Sequence, residues 1–68
     1  MDYNTPDHAV FFPQDDLVVV FNQDGDILGA EIPAESLEEA LEVLQQNGYS
    51  EFTEVEYLDD DVVAIHKG

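Results

Sequence analysis

The sequence predicts an α+β fold: an antiparallel β-sheet of four to five strands with one amphipathic helix packed on one face, in the order (β)ββαββ. Three observations lead there. Short apolar runs rich in Val, Ile and Phe alternate with turn residues, notably Asp24-Gly25 and Asp59-Asp60-Asp61. A single stretch, after Pro33, places its apolar residues at helical spacing. The chain has 68 residues and no Cys, so residues 1–68 form one domain on a hydrophobic core alone, with neither disulfides nor a cysteine-based zinc site.

The elements follow in order. Residues 1–7, with Asn4, Pro6 and Asp7, read as a flexible N-terminal arm. His8–Phe12 reads as a first strand at a sheet edge, closed by Pro13, which has no N–H to give a ladder. Gln14–Asp16 is a turn. Leu17–Asn22 carries the strongest strand signal and Ile27–Ile32 the next. Asp24-Gly25 between them marks a hairpin, since Gly accepts positive φ.

Pro33 ends that strand, and a helix is expected from Ala34 or Glu35 to Gln46 or Asn47. Leu37, Ala40, Leu41 and Leu44 fall at i, i+3, i+4 and i+7, one apolar stripe. Ser36 suits a helix start, and Gly48 suits the position just past the end. Phe52–Leu58 and Val62–His66 then form a second hairpin through Asp59–Asp61. Leu17–Phe21 is apolar on both faces, whereas one helix covers one. Tyr3, Phe11 and Phe12, or a second copy of the chain, are expected to cover the other, so a homodimer through the Leu17–Phe21 sheet face is an expectation.

Charge narrows the function. Seventeen Asp and Glu stand against one Lys and no Arg, a formal net charge of −16. Solubility alone calls for a magnitude of roughly 2–8 in a small domain, and like charges crowded on a small body destabilise it. Nucleic acid and anionic membrane surfaces share this sign and are excluded as direct partners. Disorder is excluded by a 44% hydrophobic composition with four Phe and three Tyr. The longest apolar run, Leu17–Phe21, is too short to span a bilayer, and no basic n-region marks a signal peptide; a cytoplasmic location is expected.

The acids fall in ordered rows. Glu35, Glu38, Glu39 and Glu42 share one helical face without an interspersed cation, unlike ordinary helix surfaces that pair Glu with Lys. Alternation in Phe52–Leu58 places Glu54 and Glu56 on the face opposite Val55 and Tyr57. Asp59, Asp60, Asp61, Asp24 and Asp26 add acidic turns. Together these eleven residues are the candidate partner-binding set. Phe52, Tyr57 or Tyr49 beside them are candidates for the apolar contacts that give specificity.

Other chemistries find less support. The Gln23–Asp26 turn lacks EF-hand spacing, His8 and His66 lie near opposite ends of the sequence, and no zinc pattern links them. No nucleophile motif or phosphate loop is present, and a domain of this size offers little room for a catalytic cleft. No enzyme activity, cofactor or metal is expected.

The charge distribution, in the rows at Glu35–Glu42, Glu54–Glu56 and Asp59–Asp61, resembles that of small acidic DNA-mimic proteins, many of them phage-encoded inhibitors. The order of hairpin, helix and strands is similar to small phage uracil-DNA glycosylase inhibitors and some compact anti-CRISPR proteins. The resemblance implies a stoichiometric inhibitor. Its acidic surface would fill the basic nucleic-acid-binding site of a host DNA- or RNA-binding protein such as a CRISPR effector, nuclease or uracil-DNA glycosylase. Two alternatives stand beside it: a halophilic structural or interaction protein whose acidity is salt adaptation, and a small dimeric adaptor.

Overall fold

A computed structural model describes residues 5–68. Tyr3 and the first part of the expected arm lie outside them. One five-stranded antiparallel sheet is built from β1 (Pro6–Phe12), β2 (Leu17–Asn22), β3 (Ile27–Pro33), β4 (Phe52–Asp59) and β5 (Val62–Lys67), with helix α1 (Leu37–Gln46) between β3 and β4. The expected α+β class and element order are present. The radius of gyration is 10.8 Å. Among the described residues no helix is long and apolar enough to cross a membrane.

The sheet order is β3-β2-β1-β5-β4. The first strand is therefore central, not an edge, and it starts at Pro6, inside the stretch read as an arm. β1 pairs with β2 through Ala9↔Val20 and Phe11↔Val18, and with β5 through Ala9↔Ile65 and Phe11↔Val63. Its run Ala9-Val10-Phe11-Phe12 is apolar on both faces, which suits a strand flanked on both sides. Pro13 lies just beyond the strand, so its missing donor interrupts no ladder.

Side-chain alternation divides the sheet. Ala9, Phe11, Val18, Val20, Val63 and Ile65 are buried beneath α1, where Ala40 and Leu44 meet them with no exposed surface of their own. Phe11 thus belongs to the helix-side core and is not available to cover the other face. That other face carries Val10, Phe12, Leu17, Val19 and Phe21 across the two central strands, with Val19 buried and the rest half-buried.

Both ends of α1 are capped by local chemistry. Ser36 is the N-cap, and its Oγ accepts from the Glu39 backbone N–H at 3.1 Å. The Glu39 carboxylate accepts in turn from the Glu35 backbone N–H at 2.6 Å. The helix therefore begins two or three residues later than its sequence suggests, because the cap hydroxyl takes the donor that a longer helix would use. At the other end, Tyr49 N–H donates to Leu44 O at 2.8 Å and Gly48 N–H to Gln45 O at 3.1 Å, a Schellman closure with Gly48 at φ +90°. Gly48→Ala is expected to cost about 1–2 kcal/mol, because a Cβ at positive φ crowds the carbonyl. Urea unfolding followed by circular dichroism measures that loss.

Candidate functional site

The strand directions sort the acidic residues by place. β1 runs up to its turn with β2, and β4 runs up to its turn with β5, so both turns lie at one end of the sheet. The start of α1 joins them there: Ala34 N–H donates to Asp16 O at 2.9 Å. This upper end gathers Asp15, Asp16, Glu35, Asp59, Asp60 and Asp61, all exposed, with Glu38 in the first helical turn. The β2–β3 loop with Asp24 and Asp26 is at the opposite, lower end.

The expected eleven-residue set therefore does not form one surface. Glu38 and Glu42 are exposed on the helix layer. Glu54 and Glu56 face away from that layer, because Val55 between them packs toward the helix-side core. Glu35 lies before the helix and Glu39 is occupied in capping, so the expected four-residue helical stripe is interrupted at both. Asp15 and Asp16 join the upper end although the sequence marked them only as turn residues. Asp16 holds φ +54° there, a conformation that Asp tolerates better than most residues.

The basic residues sit elsewhere. His8 and His66 are direct cross-strand partners, with ring centroids 6.4 Å apart, and Lys67 follows at the end of β5. All three lie toward the lower end. His8 Nδ1 bonds Asp7 Oδ2 at 3.0 Å, His66 Nε2 bonds Glu56 Oε1 at 2.9 Å, and Lys67 Nζ approaches Glu51 Oε1 at 3.9 Å. Glu56 is thus engaged within the chain. His8 also stacks on Phe21, centroids 5.2 Å apart. The sequence separation of the two histidines hid this pairing, which only the β1–β5 ladder creates. Among the described residues no group of three or more His, Asp or Glu side chains is arranged to hold a metal ion.

Distance makes this asymmetry count. The strands set the distance between the two ends, with the 7 residues of β1 spanning about 23 Å, whereas charges in physiological salt are screened over about 8 Å. Lys67 at the lower end does not offset the upper-end carboxylates, and the upper end presents an uncompensated negative field.

The lower loop has a structural keystone in Asn22, 1% exposed. Its Oδ1 accepts from the backbone N–H groups of Asp24 at 3.0 Å and Asp26 at 2.9 Å. Asn22→Ala leaves both donors without this acceptor, and a cost of about 1–3 kcal/mol is expected. Thermal unfolding of the variant checks it.

The aromatic candidates separate just as clearly. Phe52 has no exposed surface and stacks obliquely on half-buried Tyr49 at 5.9 Å, so it is core and not a contact residue. Tyr57 is 72% exposed. Comparison with protein-family models, with curated proteins and with solved structures finds no match.

Proposed function

We propose that the chain is an acidic, non-enzymatic inhibitor that mimics DNA, occupying the basic nucleic-acid-binding site of a host protein through its upper end and the adjoining helix surface. The observation that carries this reading is the segregation of charge: the upper-end carboxylates have no basic neighbour, while every Lys and His lies toward the other end. A negative surface so arranged steers a basic groove toward one end of the molecule. Glu54, Glu56, Asp24 and Asp26 fall outside this interface.

Affinity capture tests the reading. The immobilised chain is exposed to a bacterial lysate, then eluted with rising NaCl beside a poly-glutamate column. DNA- or RNA-binding proteins enriched on the chain over poly-glutamate, and released by salt, support it; equal recovery on both columns sinks it. Circular dichroism against NaCl separates the halophile alternative, which requires molar salt for folding. The dimeric-adaptor alternative has the apolar row Val10, Phe12, Leu17 and Phe21 in its favour, and sedimentation equilibrium at low and high salt decides it.

A further inference from the structure

A groove of about 460 Å³ opens at the upper end, between the first turn of α1 and the β4–β5 hairpin. Buried Phe11 and Val63 and half-buried Leu37 form its floor. Tyr57 and Leu58, 72% and 57% exposed, stand at its lip, and Asp59 and Asp60 line its rim. Among the described residues these are two of the three exposed large hydrophobic side chains; the third, Ile27, lies beside the lower loop. Exposed large apolar side chains and acidic side chains thus adjoin at this groove.

We propose that this groove docks a protein segment in which an apolar side chain is flanked by Arg or Lys. The proposal rests on the upper end being a protein-binding surface and names what that surface recognises. The floor and lip match an aliphatic or aromatic side chain. A cavity of about 150 Å³ already admits benzene, so this groove has room for one or two such side chains. The rim carboxylates, in a field without nearby cations, reject phosphates and acidic peptides and pair with flanking guanidinium or ammonium groups. Apolar anchors ringed by polar contacts are the usual seat of discrimination in protein interfaces. Charge draws in many basic proteins; the groove selects among them.

Three short peptides test this on the isotope-labelled chain by NMR titration at physiological salt: Arg-Leu-Leu-Arg, Arg-Ser-Ser-Arg and Gln-Leu-Leu-Gln, each with blocked ends. The leucine–arginine peptide is expected to bind at least 10-fold more tightly than either control, shifting amides around Leu37, Tyr57–Asp60 and Val63. Tyr57→Ser and Leu58→Ser, both at exposed positions, are expected to remove that advantage while binding of Arg-Ser-Ser-Arg stays unchanged. Equal binding of the two arginine peptides overturns the groove and leaves the acidic-surface reading standing. Equal binding of the two leucine peptides keeps an apolar groove but removes the acidic surface from recognition, which overturns the proposal in its flanking charges. Absence of binding by all three overturns it outright.

Discussion

Replacing Asp59, Asp60 and Asp61 together by Lys is expected to weaken binding to a captured basic partner by about 100-fold at physiological salt. Each reversal turns an attraction at the interface into a repulsion. At about 1 kcal/mol per site, a modest value for charge pairs across an interface, three sites supply about 3 kcal/mol, or two orders of magnitude in Kd. The comparison that gives the result meaning is a second triple reversal at the lower end: Asp24, Asp26 and Glu51 to Lys. It changes the net charge equally, yet is expected to cost less than 10-fold, because these residues lie at the opposite end of the strands and are screened from the interface. Equal losses from the two triples would mean that bulk charge, not a site, drives association. Asp59 Oδ1 accepts from the Asp60 N–H at 2.7 Å, so circular dichroism of the upper triple must show that its hairpin survives. Both triples relieve like-charge repulsion and are expected to melt no lower than the parent at low salt.

Much of the fold was legible in the chain because its signals are local. The helical spacing of Leu37, Ala40, Leu41 and Leu44, the Asp24-Gly25 turn and the Gly48 stop each act within a few residues. Strand boundaries came within about two residues for the same reason. The place of β1 was not legible: whether a strand is central depends on its pairing with β5, more than fifty residues away in sequence. The site inherits that gap. Sequence spacing shows that Glu54 and Glu56 share a face, but not that this face turns away from α1. It marks Asp15 and Asp16 as turn residues, but only the β1–β5 ladder brings their turn to the same end as Asp59–Asp61. Ser36 was legible as a helix start, but its reciprocal capping with Glu39 was not, and that pairing ties Glu39 to the helix start more than to an open acidic row.

Phe52→Ala is expected to produce the largest loss of stability of any single substitution considered, lowering the melting temperature by at least about 12 °C. Burial and exposure separate this residue from Tyr57, although both are aromatic residues of β4. Phe52 has no exposed surface and packs with Leu44, Ile65 and Tyr49 in the helix-side core. Truncating a buried Phe costs about 3–5 kcal/mol. A domain of 68 residues has roughly 3–10 kcal/mol in total at the usual stability per residue, and a net charge of −16 draws that down further. In a small domain each kcal/mol moves the midpoint by about 4–8 °C. At low ionic strength, where the carboxylates repel most strongly, the variant is therefore expected to melt lowest. Sodium sulfate should recover part of the folded population, because it both screens the carboxylates and strengthens apolar burial. Tyr57→Ala, at an exposed position, should shift the midpoint by less than about 4 °C, within the range usual for surface changes. A Phe52→Ala protein that melts within that same narrow range would remove Phe52 from the core and reopen it as a contact residue. If the two variants instead divide, stability loss for Phe52 and loss of peptide selectivity for Tyr57, one edge strand anchors the helix with one aromatic ring and offers the other to a partner.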